Sequence, residues 1–238
     1  LKGTEYDDRI LGCQSVGFKE KMESNQLLSG DLSNRIIMFV TAMMEVKSSM
    51  GVIVAAPTAG SCGVVPGAII GTAATLGLSE GDVIKALLTA GIIGVFIAAH
   101  ATFAAEVGGC QAECGSGSGM SAAALVQMAG GTLEQSIGAS SIALQNCLGM
   151  ICDPVANRVE APCLGKNVLG ATNALSCANM ALANYNHLIP LDEVIYTMDQ
   201  VGQSIPNTLR CTSLGGLSVT KTSKEIEVRL NQRAFKSC

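Results

Sequence analysis

Three of the ten cysteines stand beside turn-forming residues, which sets them apart from ordinary core cysteines. Cys110 lies in EVGGCQAECG, Cys152 in MICDPVAN and Cys163 in EAPCLGKN, and each has a glycine or proline within two residues. This pattern predicts that all three lie on loops. Three thiolates brought together by loops can hold an iron–sulfur cluster and leave one iron open to a substrate.

The spacing of these cysteines does not by itself identify a metal site. Cys110 and Cys152 are 42 positions apart, and ten residues separate Cys152 from Cys163, unlike the C-x2-C runs of ferredoxins and zinc ribbons. Cys110 and Cys114 fit one helical face, but one pair does not hold a cluster. Because free cysteine is among the most buried residue types, core packing is the simplest interpretation of the others, Cys13, Cys62, Cys147, Cys177 and Cys211.

The composition argues against several classes of function. The net charge is −4 and no basic patch is present, so we expect no nucleic-acid partner. No secretory leader opens the sequence, so its ten cysteines indicate a reduced, cytoplasmic protein rather than a disulfide-bonded one.

One apolar segment raises the alternative of a membrane protein. Twenty residues without a formal charge lie between Lys85 and Glu106, which is long enough to cross a bilayer. The segment has no aromatic belt and no Lys/Arg asymmetry at its ends, and it contains His100. We therefore expect a buried helix of a protein that does not enter a membrane.

Helix signals recur along the sequence and alternating strand patterns are few, which predicts an all-α fold. Residues 35–50 form one candidate helix. Capping-box patterns indicate helix starts at Ser79 with Asp82, at Thr132 with Gln135 and at Thr222 with Glu225. Another helix is predicted to start at Pro190, with Leu191, Ile195 and Met198 on one face.

The sequence predicts one helical domain whose Gly/Pro-rich loops carry the active site. Residues 1–30 are more polar and irregular, which predicts a connector or N-terminal arm, and residues 31–238 would form the catalytic domain. The predicted loops are residues 55–67, 106–119, 152–167 and 213–223.

Four of these segments closely resemble the iron–sulfur-dependent L-serine dehydratases, in particular their α-chain or catalytic domain. They are AAPTAGSCGVVPG, AEVGGCQAECGSGSGM, CDPVANRVEAPC and TSLGGLSVT, and the resemblance runs from about residue 35 to residue 225. It implies an all-helical catalytic domain that deaminates L-serine to pyruvate and ammonia without pyridoxal phosphate. It also implies that Cys110, Cys152 and Cys163 ligate a [4Fe-4S] cluster.

The implied mechanism needs a Lewis acid because hydroxide is a poor leaving group. An open cluster iron would bind the serine hydroxyl while a base removes the α-proton. Loss of water gives aminoacrylate, which tautomerises and hydrolyses to pyruvate and ammonium. Having three protein ligands rather than four separates this chemistry from electron transfer.

The resemblance also nominates substrate-binding residues. The APTAGS loop offers backbone N–H groups and hydroxyls to the serine carboxylate through Pro57, Thr58, Ala59, Gly60 and Ser61, although a plain helix connector has the same composition. Lys166 and Arg210 are candidate carboxylate partners or solvated surface cations, and Asn167 either binds substrate or caps a helix.

Two residues are candidates for the base. His100 has the right pKa range for proton transfer, although a histidine in an apolar run is more often a core residue. Glu106 lies at the edge of the Cys110 segment, where burial would raise its pKa. The wording HATFAAE departs from the usual family pattern and leaves the substrate choice open.

Family members carry a Ser-Ser-His-Thr motif in a β chain or an N-terminal β domain, and this sequence has none. We therefore expect a β partner, and a homo- or hetero-oligomer, to complete the active site. Cys238, at the end of the sequence, is a candidate displaceable fourth ligand of the cluster or an inert tail residue.

Three alternative functions are compatible with the sequence. A related cluster-dependent lyase would act on cysteine or threonine. A membrane transport component would explain the apolar segments. A redox or structural cluster protein would carry a permanent fourth ligand.

Overall fold

The computed structural model describes residues 3–234, which form one helical domain without a β-strand in that range. This confirms the all-α prediction. The α-helices are α1 (Ser15–Glu23), α2 (Asp31–Ser48), α3 (Val64–Leu76), α4 (Glu80–His100), α5 (Ala105–Gly108), α6 (Ser116–Met128), α7 (Leu133–Gln145), α8 (Cys163–Leu182), α9 (Leu191–Ser204) and α10 (Lys221–Ala234).

Helix α6 is the centre of the domain and packs against α3, α4, α7 and α8. Its residues 116–126 are all buried. Most of them are Gly, Ala or Ser, which lets the surrounding helices approach closely. The sequence had predicted a loop over residues 106–119, and this is wrong: α5, a π-helical turn (Gln111–Gly115) and the start of α6 fill that range. Burial outweighs the weak helix propensity of glycine and serine here.

Two apolar cores lie on opposite sides of α6. One joins α2, α3 and α8 through residues such as Ile36, Val64 and Ala171. The other joins α4, α7 and α9 and includes Leu191, Ile195 and Met198, so the predicted buried face of α9 is confirmed.

Capping side chains fix two helix starts where the sequence predicted them. Ser79 with Asp82 and Thr132 with Gln135 form complete capping boxes at α4 and α7. The predicted box of Thr222 with Glu225 is wrong. α10 begins at Lys221, and the hydroxyl of Thr220 accepts the N–H of Ser223 at 3.3 Å.

Helix α4 is only half buried, contrary to the expectation of a buried helix. Ala86, Ala90 and Ile97 face the core, whereas Leu88 and Ile92 are exposed. Among the described residues, α4 alone is long and apolar enough to cross a membrane by length and composition. Such a helix is weak support for a membrane location, because one face of it packs in the core of this domain.

Two buried glutamates fasten the described part of residues 1–30 to the domain. The Glu45 carboxylate on α2 accepts the N–H groups of Gln14 and Ser15 and the Ser15 hydroxyl, the last at 2.6 Å. Glu160 accepts the N–H groups of Ile10 and Leu11, each at 3.1 Å. The assignment of residues 1–30 as a separate arm stays a prediction.

The close contact of α2 and α3 predicts the effect of adding a single methyl group. A Cβ atom on Gly67 would lie 2.4 Å from the Val40 side chain and 3.0 Å from its backbone nitrogen. We expect Gly67→Ala to lower the free energy of unfolding by about 1–3 kcal/mol. Gly91→Ala on α4 meets no atom within 4 Å and should raise it by about 0.5–1 kcal/mol. Urea unfolding measures both changes, and equal midpoints for the two variants would contradict the packing.

Candidate active site

Two cysteine sulfurs and one carboxylate form the centre of the candidate site. The Sγ atoms of Cys110 and Cys152 and a carboxylate oxygen of Glu113 all lie within 4.8 Å of one another. Cys110 precedes the π-helical turn, and Glu113 lies within that turn. Both thiols are buried and Glu113 is partly buried, so the three groups face one another largely out of water.

The thiols of Cys110 and Cys152 share a hydrogen bond that drives their pKa values apart. The Cys152 thiol donates to Cys110, which lowers the pKa of Cys110 and raises the pKa of Cys152. Burial opposes ionisation of both thiols, whereas the Lys166 charge favours the Cys110 thiolate. A bound cation would also stabilise the negative charge of the second thiolate.

The third predicted ligand, Cys163, is close to this pair but outside the 4.8 Å group found among the described residues. It is the first residue of α8 rather than a loop residue. Burial and the charge of Cys110 raise the pKa of Cys163 to about 12, and the positive charges of Lys47 and Lys166 oppose that increase. The structure therefore brings the three predicted cysteines into one electrostatic neighbourhood.

A short parallel bridge ties Cys152 to a distant loop. The Cys152 N–H donates to the Leu209 carbonyl at 2.8 Å, and the Cys211 N–H donates to the Cys152 carbonyl at 3.0 Å. Cys211 has a φ of 58°, an uncommon value for a residue with a side chain, and its thiol contacts that of Cys152. A fourth thiol thus lies beside the predicted ligands.

Lys166 on α8 forms an ion pair with Asp153, the residue that connects the Cys152 loop to the loop at Leu217. Its Nζ atom donates to Asp153 Oδ1 and to the Ile151 carbonyl, each at 2.7 Å. The other Asp153 oxygen accepts the Leu217 N–H at 2.9 Å. Burial lowers the pKa of Lys166, but the negative charges of Cys110 and Asp153 outweigh it and leave that pKa raised. With two donors engaged, Lys166 holds the cysteine loop in place.

Gln111 holds the π-helical turn against its neighbours. Its side chain is fully buried, donates to the Met198 carbonyl at 2.7 Å and accepts the Gly149 N–H at 2.8 Å. The preceding Gly109 has a φ of 73°, and a Cβ atom there would lie 2.8 Å from the Met150 carbonyl oxygen. Glycine is therefore required beside Cys110.

The APTAGS loop (residues 56–61) borders the sulfurs through Glu113. The Thr58 hydroxyl donates to Glu113 Oε1 at 2.7 Å and pairs with the Ser61 hydroxyl at 3.0 Å. A Cβ atom on Gly60 would lie 2.8 Å from both Glu113 oxygens, so a side chain at this position would displace the carboxylate. Burial raises the pKa of Glu113, and the Thr58 hydrogen bond partly offsets that rise.

Besides that of Ala56, two N–H groups of this loop have no hydrogen-bond partner within residues 3–234. They belong to Ala59, which is exposed, and to Gly60. Pro57 precedes them after a cis peptide bond. Unpaired backbone N–H groups of this kind can donate to an anion, and the carboxylate cradle stays a prediction.

Asn167 joins the APTAGS loop to α8. Its side-chain NH₂ donates to the Gly60 carbonyl at 2.8 Å and to the Cys163 carbonyl at 2.9 Å, and its oxygen accepts the Gly63 N–H at 3.1 Å. The side chain is fully buried. Asn167 therefore bridges two segments of the site, and its binding of substrate stays a prediction.

Arg210 keeps unused donors beside Cys152. Its Nη1 atom donates to the Val107 carbonyl at 3.1 Å, while its buried Nε atom has no partner among the described residues. It therefore retains more free hydrogen-bonding capacity toward a carboxylate than Lys166 does.

The two predicted bases occupy different surroundings. His100 lines a cavity of about 340 Å³ with His187 and Asp192, which none of the predicted cysteine ligands lines. Glu106 is exposed on α5, but it is near enough that its charge raises the pKa values of Glu113 and Cys211. Cys238 lies outside the described residues.

Sequence reasoning missed three residues of this site. Glu113 lies one helical turn after Cys110, and that spacing was the available signal. Gln111 gave no local signal, because its partners are far along the chain. Lys47 on α2 donates to the Val159 carbonyl, and its charge favours the Cys163 thiolate.

Comparisons with known proteins show which family the chain resembles over most of its length. The family described as "Serine dehydratase alpha chain" matches residues 4–218. The "Probable L-serine dehydratase, alpha chain" of Bacillus subtilis (strain 168) is 45% identical over 230 residues, which are 97% of this chain and 77% of that protein.

Two further relatives differ in length. The "L-serine dehydratase, alpha chain" of Peptoniphilus asaccharolyticus is 44% identical over 87% of this chain and 71% of its own length. The "L-serine dehydratase TdcG" of Escherichia coli (strain K12) is 33% identical over 87% of this chain but only 46% of its own length. More than half of that protein therefore lies outside the match.

The bridging role of Asn167 predicts a loss of stability on its removal. We expect Asn167→Ala to lower the free energy of unfolding by about 2–4 kcal/mol, because it leaves buried groups of Gly60 and Gly63 unpaired. Asn179→Ala, at an exposed position of the same helix, should change it by no more than about 0.5 kcal/mol. Urea denaturation compares the two, and a neutral Asn167→Ala would show that the bridge does not stabilise the loop.

Proposed function

Because this chain belongs to the serine dehydratase alpha chain family, we propose that it deaminates L-serine to pyruvate and ammonia as an L-serine ammonia-lyase. The observation that carries the proposal is the meeting of the Cys110 and Cys152 sulfurs with Glu113, whose carboxylate lies against the APTAGS loop. Possible ligands for a metal cofactor thus adjoin unpaired donors suited to a carboxylate.

The donor set fits an iron–sulfur cofactor. Soft thiolates are the ligands that iron–sulfur clusters use, and Cys110, Cys152 and Cys163 would hold a [4Fe-4S] cluster. When bound, the cluster would supply a Lewis acid for the serine hydroxyl. Pyridoxal phosphate has no role in this proposal.

The residues around the sulfurs divide the remaining work. The free N–H groups of Ala59 and Gly60 and the spare donors of Arg210 would bind the serine carboxylate. Thr58 and Ser61 hold the loop through their paired hydroxyls. Asn167 and Lys166 position the loops rather than touch the substrate.

Glu113 is the best-placed group to take the α-proton. It combines a position next to the sulfurs with a pKa raised by burial, which makes the carboxylate a stronger proton acceptor. The alternatives that the sequence nominated, His100 and Glu106, lie in another cavity and on an exposed helix.

Cysteine and threonine remain alternative substrates, because a free cradle for a carboxylate accepts any α-amino acid. Release of pyruvate, sulfide or 2-oxobutyrate separates the three. A β chain with the Ser-Ser-His-Thr motif, an oligomeric state and a cytoplasmic location stay predictions.

The ligand assignment predicts which cysteines the cofactor requires. After anaerobic reconstitution of each purified variant, Cys110→Ser, Cys152→Ser and Cys163→Ser should each lower iron and acid-labile sulfide to background. Each should also abolish the pyruvate formation that the wild-type chain shows when it is assayed with the β chain. Cys177→Ala is the control, since Cys177 is fully buried in the α2–α3–α8 core. A variant of any of the three that keeps full iron and sulfide would remove that residue from the ligand set.

The base assignment predicts a separation of turnover from cofactor content. Glu113→Gln should lower kcat by about 10²–10⁴ while iron content is unchanged, because it removes the proton acceptor. Glu106→Gln and His100→Gln should keep most of the activity. Pyruvate release and iron content measured on the same samples decide between them, and a large loss confined to Glu106→Gln or His100→Gln would transfer the role.

A further inference from the structure

The segment between α2 and the APTAGS loop is an extended stretch of chain that pairs with no neighbour among the described residues. In residues 51–55 the chain is extended, with Val52 98% and Val54 76% exposed on either side of the half-buried Ile53. The exposed Val52 and Val54 side chains point away from the partly buried Ile53, as successive side chains of an extended segment do. The N–H groups of residues 52–56 have no hydrogen-bond partner within residues 3–234.

Apolar cavities flank this segment on both sides. One of about 400 Å³ lies between it and the outer face of α2, where Phe39 and Met43 contribute. The other, of about 390 Å³, lies between residues 55–57 and α4, where Leu87 and Val95 contribute. The exposed face of α4 continues the same apolar surface through Leu88 and Ile92.

Nothing on this surface protects an unpaired strand edge. Edge strands usually carry lysine, proline or a covering element that prevents pairing with another chain. No charged residue occurs from residue 48 to residue 79, and the first proline is Pro57, beyond the strand. An edge left in this condition is suited to pairing with a partner.

The relatives indicate what that partner is. The relatives named "alpha chain" match this chain over most of their length, whereas more than half of the Escherichia coli relative lies outside the match. The longer relative thus carries in one polypeptide a region that the alpha chains lack, and a second polypeptide would supply that region to an alpha chain. The strand leads directly into Pro57 and Thr58, so its occupant would lie beside the proposed carboxylate cradle.

We propose that residues 51–56 and the two flanking cavities are the docking surface for the β chain, which adds a strand to this edge and places apolar side chains in both cavities. The proposal deepens the proposed function and rests on it, because that function supplies the second chain. Backbone hydrogen bonds along the strand fix the register, and the cavities select the side chains.

The test uses the full-length chain and the full-length β chain from the same organism. Val54→Lys places a charge on the strand, and Leu188→Lys is the matched control, since Leu188 is 77% exposed in the turn before α9. We expect Val54→Lys to raise the Kd for the β chain at least tenfold and Leu188→Lys to leave it unchanged. In the wild-type complex, amide hydrogen exchange of the peptide covering residues 50–56 should slow at least tenfold.

Several outcomes would overturn the proposal. They are equal binding of Val54→Lys and wild type, unchanged exchange in residues 50–56, or no binding of the wild-type chain. A wild-type dimer that Val54→Lys converts to monomer by light scattering would assign the surface to a second copy instead. If the complex forms as expected but yields no pyruvate from serine, the proposed function fails while the docking surface stands.

Discussion

The candidate site depends on the need to satisfy the polar backbone of irregular segments that are buried between helices. Unpaired buried N–H and C=O groups cost about 1–3 kcal/mol each, so turns of this kind need side chains as partners. Two fully buried amides meet the need. Gln111 joins the π-helical turn to the segment before Cys152 and to α9, and Asn167 joins the APTAGS loop to the start of α8. Each predicted ligand therefore lies next to a segment fixed by one of these amides.

Charge balance is a second constraint on the same region. Buried thiols resist ionisation, and the anions Glu113 and Asp153 add to that resistance. The positive charges of Lys47 and Lys166 oppose it at Cys163. Lys166 is itself held by Asp153, so its charge stays at a fixed distance from the sulfurs. A cationic cofactor would complete the balance that these two lysines begin.

The sequence predicted those features of the fold that depend on neighbouring residues. Ser79 and Thr132 were readable as helix starts because a capping box lies within four positions of the chain. The interval 106–119 was not readable, since its small residues have low helix propensity and become helical only by packing between other helices. The cap of α10 was misplaced from Thr220 to Thr222 because hydroxyl residues recur at that boundary.

The residues of the candidate site also divide into those that local motifs predict and those that depend on distant contacts. Three cysteines, the APTAGS loop and Arg210 were recognisable from motifs, whereas the roles of Glu113, Gln111 and Asn167 depend on contacts across 38 to 107 positions of the chain. Local patterns carry no information about such pairings. Lys166 is the opposite case. Its positive charge suggested that it binds the substrate, but in the structure it donates to Asp153 and to the Ile151 carbonyl.

The surface of the domain is also explained by the position of the site. Helix α4 buries one narrow face in the core and exposes large apolar residues such as Leu88 and Ile92, which a solvated helix of a lone domain would replace with polar ones. The unpaired strand before the APTAGS loop lies along the same surface. An exposed apolar surface that leads into a substrate loop is costly in water unless a partner covers it. The exposed face of α4 and the unpaired segment are both consistent with the proposed docking of a second chain beside the site.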